Sequence, residues 1–221
     1  MARYREKMSS RAAAVAAEIT AAPSNIVKLK GKVFTLPDGT TVPGPLRAVV
    51  VDFMSSNSLF EGAYNANAPK PPVCWAVGSL DTLRPSANAP KPATEGDCAS
   101  CPKNQWGTHP GGGKGKACKN QMKIAIMPTG LETPDVSKLY ILNVSPTGIK
   151  GFSGFVRRIQ TMLGDDALPI RVNCEIGFDP LQPYPTLTFL ELTPNEQLGV
   201  SLNLLNDARE LLMREPKGED E

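Results

Sequence analysis

Five strand-patterned segments, with one amphipathic helix between the third and the fourth, predict a mainly β protein with flanking helices, built as an OB-type barrel. Two further observations fill in the plan. A long stretch rich in Asn, Pro, Gly and Lys divides the strands and carries four of the five cysteines, which reads as a zinc-knuckle insertion in the barrel. Apolar residues make up 41% of the 221, enough for a core that needs no disulfide staples. A mixed α+β sandwich would share this element order and stays open as the alternative plan.

Each element has its own signal. Residues 1–25 form a basic N-terminal arm, in which Arg3, Arg5, Lys7 and Arg11 flank an Ala-rich run suited to a short helix that ends at Ala22-Pro23-Ser24. The OB-type core spans 26–193. Alternation predicts strands in Ile26–Lys30 and Lys32–Leu36, followed by a turn at Pro37-Asp38-Gly39-Thr40. Leu46–Met54, with Val49-Val50-Val51, is apolar enough to be a central strand. From about 55 to 121 the texture changes, and Pro69, Pro71, Pro72, Pro85, Pro90 and Pro92 exclude long regular elements; a metal takes the place of a core there.

Strands return at Met122–Met127 and Lys138–Val144. The helix that follows presents Ile149, Phe152, Phe155, Ile159 and Met162 on one face and stops at Gly164. Pro169–Phe178 and Thr186–Leu192 complete the strands. Thr193-Pro194-Asn195-Glu196 reads as a capping box with proline at the first helical position, opening a C-terminal helix over 194–214 with Leu198, Leu202, Leu205 and Leu212 inward. Residues 215–221 are an acidic tail holding Glu215, Glu219, Asp220 and Glu221.

The cysteines carry the chemistry. Cys98 and Cys101 form a C-x2-C pair, whose two thiolates can grip one tetrahedral ion from a tight turn, while Cys74 and Cys118 close the site. His109, the only histidine, is the alternative fourth ligand in place of Cys74. An iron-sulfur cluster on the same four cysteines is the rival to structural Zn2+. A disulfide framework fits poorly, because the cysteine count is odd and the N-terminal apolar run is too short for a secretory signal. Reduced thiols and a cytoplasmic setting are therefore expected. Cys174 alternates with Val172 and Ile176 and reads as a buried thiol in a strand. No apolar run approaches the ~20 residues of a membrane span, so a soluble protein with no membrane partner is expected.

Residue supply argues against an enzyme. A Ser-His or Cys-His system would have to use His109, inside the metal loop. Gly111–Lys116 lacks the phosphate-loop pattern, and Cys74-Trp75-Ala76 lacks the glutamate of a zinc deaminase. Asp52, Glu175 and Glu191 are the one carboxylate set that could serve a metal-dependent nuclease.

Binding chemistry is better supplied. A net charge of +2 is too small to argue for nucleic acid, but Lys103, Lys114, Lys116, Lys119 and Lys123 cluster with no acid among them. Single strands are held by such a basic groove and by aromatic faces on which bases stack. Trp106 lies between Lys103 and Lys114, and Phe60 and Tyr64 precede Lys70. Trp75 adjoins Cys74 and either packs over the metal or stacks on a base. A zinc-knuckle module for protein or RNA is the competing reading.

The segment Cys74–Pro128, with C-A-S-C-P-K-N-Q-W-G and then G-K-G-K-A-C-K-N, resembles the zinc-containing single-stranded DNA-binding proteins of tailed bacteriophages. In plan the chain is similar, more distantly, to the helix-destabilising protein of T-even phages, with Cys74 standing where that relative has an upstream histidine. The resemblance implies a non-enzymatic protein that coats single strands during replication and recombination in the cytoplasm of an infected bacterium. It also implies recruitment of partner proteins, here through the acidic tail.

Overall fold

The computed structural model describes residues 25–62, 70–131 and 135–216. The chain is mainly β, and its described residues form two antiparallel sheets and three α-helices. β1 (Lys28–Lys30), β2 (Val33–Thr35) and β3 (Thr41–Val42) form a small sheet, turned at Gly39, whose φ of +87° places it in the left-handed region that glycine tolerates best. The large sheet is organised by β4 (Leu46–Leu59), 14 residues long. β6 (Lys119–Pro128) pairs along nearly all of β4, β8 (Val172–Phe178) along its first part, and β5 (Cys74–Gly78) along its last part. β7 (Tyr140–Val144) lies outside β6 and β9 (Leu187–Pro194) outside β8, giving the path β7-β6-β4-β8-β9.

β4 is buried on both sides, and its alternation sorts two cores. Leu46, Ala48 and Val50 join Ile124, Ile126, Leu142, Cys174 and Ile176 in the first core; Val49 and Val51 join Ala125, Met127, Leu139 and Ile141 in the second. α1 (Pro146–Leu163) covers the first core with Phe152, Phe155 and Ile159. Phe152 meets Phe53 and Phe189 edge-on, each at 5.1 Å between centroids, the preferred geometry for neighbouring rings. The helix can come this close because residue 148 is glycine: a Cβ there would lie 2.9 Å from Val144 Cγ1. α2 (Leu198–Asn203) and α3 (Leu205–Met213) cover the second core with Leu204, Ala208, Leu211 and Leu212. Arg209 Nε on α3 pairs with Asp52 Oδ2 at 3.4 Å, beside the bulge that β4 makes at Val51.

Four expectations change. The barrel is not closed, since β7 and β9 end the sheet path without pairing. β4 continues through Ser55-Ser56-Asn57-Ser58-Leu59 and β6 begins at Lys119, so the insertion between these strands runs 60–118 and contributes a strand of its own, β5. Thr193 and Pro194 belong to β9; Asn195 makes the turn instead, its Oδ1 accepting from Gln197 N at 3.0 Å, and the helical segment breaks at Leu204. Met162 and Leu202 are exposed: Met162 lies in the last turn of α1, and past the break at Leu204 the buried residues are Leu204, Ala208, Leu211 and Leu212. Cys174 is fully buried in β8, as its alternation predicts. The basic arm lies outside the described residues apart from Asn25, and so does most of the tail. No helix among the described residues is long and apolar enough to cross a membrane.

Candidate metal centre and nucleic-acid interface

The far half of β4 sets the site. Ser55, Ser56, Asn57 and Ser58 are all buried, and they sit between β5 and β6, with Leu59 opposite Cys74 and Ser58 opposite Lys119. A buried polar run is stable only if its groups find partners. Asn57 Oδ1 accepts from Asn120 Nδ2 at 2.6 Å, Asn120 Nδ2 also donates to Asn104 Oδ1 at 2.9 Å, and Asn104 Nδ2 donates to Cys98 O at 2.6 Å. These three amides tie the sheet to the cysteine loop.

Backbone bonds then shape that loop. Ser86 N donates to Trp75 O, Lys91 N to Val73 O and Cys98 N to Leu83 O, which lays residues 83–98 against β5. Asp97 Oδ1 accepts from Ser100 N at 2.7 Å at the C-x2-C turn, and this bond holds the Asp97 carboxyl below its ordinary range. Asn104 N donates to Cys101 O and Cys118 N to Lys103 O, bringing the last cysteine back.

Cys74, the Cys98–Cys101 pair and Cys118 come from three places in the chain and line one cavity of about 10 Å³, together with Asn57, Trp75 and Asn104. That is about the room one water takes, and an ion of similar size would fill it. All five cysteines are free thiols. Among the described residues no three His, Cys, Asp or Glu side chains are arranged to hold an ion as they stand.

The donor chemistry nonetheless suits zinc. Cys74, Cys98 and Cys101 are buried, Cys118 is half-buried, and four cysteines lining one small cavity are the donor set that a closed structural zinc site uses. Ala93 N approaches Cys74 Sγ at 3.5 Å, and the Asn57 side chain hydrogen-bonds Cys98, which favours thiolate at Cys98. Burial works against it. It pushes the Cys98 thiol up, and with the charges of the neighbouring thiols it pushes Cys118 up to about 12. Without a cation these thiols keep their protons at neutral pH, and a metal must displace them.

The other sequence-predicted residues divide sharply. His109 is exposed, its Nδ1 accepts from Gly111 N at 3.1 Å, and it does not line the cavity. Trp75 takes the packing role of its two readings: it is 9% exposed, lines the cavity, and offers no face to a base. Trp106 is 76% exposed in the same loop. Lys103, Lys114 and Lys119 are exposed, whereas Lys116 and Lys123 are half-buried; Lys119 and Lys123 lie on β6 rather than in a loop. Phe60 is half-buried just past β4, and Tyr64 lies outside the described residues.

Asp52, Glu175 and Glu191 do not gather. Asp52 pairs with Arg209, Glu175 with Arg47 at 3.6 Å and Glu191 with Arg158 at 2.7 Å, on three different strands. Arg158 holds the Glu191 carboxyl below its ordinary range. Sequence reasoning missed Asn57, Asn104 and Asn120. The signal available was the recurrence of Asn directly after a lysine in Pro102-Lys103-Asn104 and Cys118-Lys119-Asn120, each beside a cysteine. No family profile, curated protein or solved structure matches the chain.

Proposed function

We propose that the chain is a sequence-tolerant single-stranded DNA-binding protein, acting in phage-type DNA replication and recombination, with a knuckle held by structural zinc. The observation that carries this reading is the pairing of a four-cysteine cavity with an exposed tryptophan and exposed lysines on the loop those cysteines enclose. Cys74, Cys98, Cys101 and Cys118 would hold the ion. Zinc supplies no reaction here; it fixes the loop, and Trp106 and the lysines do the binding.

The OB-type reading is supported by strand order. The path β7-β6-β4-β8-β9, with α1 between β7 and β8, would become a five-stranded barrel if β7 met β9, and the OB fold is a partly open barrel. The small sheet and the residue leading into it touch strands on both sides of the central one: Val27 N donates to Ile141 O on β7 at 2.8 Å, and Phe34 stacks on Phe178 of β8 at 4.5 Å. A binder rather than an enzyme is favoured because the candidate carboxylates are dispersed and each is paired with arginine. Recruitment of replication or recombination proteins by the acidic tail, in the cytoplasm of an infected bacterium, belongs to the same proposal.

Titrating labelled oligo-dT and the corresponding duplex at two salt concentrations tests the reading. Single strands should bind more tightly than duplex, with the slope of log affinity against log salt near −0.7 per phosphate neutralised. Trp106→Ala should cost about 1–3 kcal/mol of single-strand binding. Equal affinity for duplex and single strand would sink the assignment, and tighter binding of oligo-U than of oligo-dT would turn it towards RNA.

A further inference from the structure

Lys116 differs from the lysines around it. Its Nζ sits 5.3 Å from the centroid of the Trp106 ring and 3.4 Å from Asn104 Oδ1, the same oxygen that accepts from Asn120. Its ammonium is thus already engaged on two sides, by an aromatic face and by the amide network beneath the cysteine cavity. Trp106 is 76% exposed, and among the described residues no other ring lies against it.

The backbone around Trp106 is fixed from both sides. Gln105 Nε2 donates to Ala99 O and Cys101 O at 2.9 and 3.0 Å, and Gly107 N donates to Gly115 O at 2.9 Å. Thr108 Oγ1 donates to Gln105 O at 2.7 Å and accepts from Ala117 N at 2.9 Å. Trp106 therefore presents its uncapped face to solvent from a hydrogen-bonded loop, the geometry on which an unpaired base can stack.

We infer that Lys116 is a positioning residue rather than a phosphate contact: it caps one face of Trp106 and leaves the opposite face as the single stacking surface for an unpaired base. This rests on the single-strand reading above. It assigns two roles to neighbouring lysines, with exposed Lys114 available to phosphate and Lys116 committed to the ring.

The test is oligo-dT binding across a salt series for the zinc-loaded full chain and its Lys116→Met, Lys116→Arg, Lys114→Met, Trp106→Ala and Trp106→Ala/Lys116→Met variants. Lys116→Met should weaken binding about two- to fivefold, the size of an exposed cation–π contact, with no change in salt slope. Arg at 116 should restore affinity, and in the Trp106→Ala background the Lys116→Met change should have no further effect. Lys114→Met should instead lower the magnitude of the slope by about 0.7. In the free protein, Lys116→Met should increase acrylamide quenching of Trp106 while zinc content stays that of wild type. If Lys116→Met lowers the slope as Lys114→Met does, and the loss persists without Trp106, Lys116 is a phosphate contact and the inference fails while single-strand binding stands. If Trp106→Ala binds as wild type does, the stacking role itself is gone and the inference falls with it.

Discussion

The two halves of β4 belong to one strand and one ladder, yet they are buried for opposite reasons. Leu46–Val51 puts Leu46, Ala48 and Val50 into one apolar core and Val49 and Val51 into the other, so water is excluded from both faces by aliphatic packing. Ser55–Ser58 is buried too, but its neighbourhood has only Ala76, Leu83 and Cys98 as an apolar cluster, and Asn57 within it bonds the Asn120 amide and the Cys98 thiol. The first half can hold itself. The second stays buried only while the insertion keeps its shape, and an insertion with so small a core needs another constraint. A metal at the four cysteines is the constraint we propose.

The comparison breaks most visibly if each half is attacked separately. Phe152→Ala removes a fully buried ring from the first core and should cost about 3–5 kcal/mol of global stability, read as a lower urea midpoint. Chelation of zinc, or Cys101→Ser, should leave that midpoint nearly in place. It should speed hydrogen exchange in β5 and residues 83–118, and abolish single-strand binding. Loss of protection in Val49–Val51 at the same chelator concentration would show one cooperative unit, and the contrast between the halves would fail.

Zinc affinity should also depend steeply on pH, and the sign follows from the thiols. Burial raises Cys98 and takes Cys118 to about 12, so without a metal these two thiols hold their protons at neutral pH. Metal binding must displace those two protons, so log affinity should rise by about two per pH unit. Competition with a chelator of known affinity at several pH values measures this. A flat profile would exclude thiolate ligation.

Next in size is the amide hub. Asn104→Ala leaves the buried Cys98 carbonyl without its side-chain donor and takes from Asn120 one of its two acceptors, Asn57 Oδ1 remaining, and should cost about 1–3 kcal/mol of local stability. The loss should appear as weaker zinc retention, with the urea midpoint of the core unchanged. A shift of that midpoint by the full amount would place Asn104 in the core's cooperative unit.

These halves were unequally legible in the sequence. Val49-Val50-Val51 declares a central strand, and the five-strand order with one intervening helix is present in the chain path. The run Ser55-Ser56-Asn57-Ser58 reads as a loop because its residues are polar; its strand character comes from the pairing of β5 and β6 on either side, which no local pattern reports. The cysteine spacing was legible because ligand geometry is local at C-x2-C, whereas Asn57, Asn104 and Asn120 meet only through the fold. At the C-terminus, Thr193-Pro194-Asn195-Glu196 satisfies a capping pattern, but β8 recruits Pro194 opposite Val172 and the turn passes to Asn195. Ladder pairing there outweighed a local signal.

The smallest expected effect concerns the C-terminal acids, which start where the two halves meet. Lys123 Nζ on β6 donates to Arg214 O at 3.5 Å, and Asn88 Nδ2 in the insertion donates to Glu215 Oε1 at 2.5 Å, so the chain enters its acidic end beside one of the candidate phosphate-binding lysines. Glu219, Asp220 and Glu221 follow, against a single Lys217. A tethered polyanion has a high effective concentration at the surface from which it departs, and competes there with phosphate. Exposed ion pairs are individually weak, so deleting residues 216–221 should tighten oligo-dT binding at low salt by only about 0.3–1 kcal/mol. The gain should shrink as salt rises, because screening weakens the tail's hold and the DNA's together. Superimposable low-salt curves for the full-length and shortened chains would leave the acids as a solvated end.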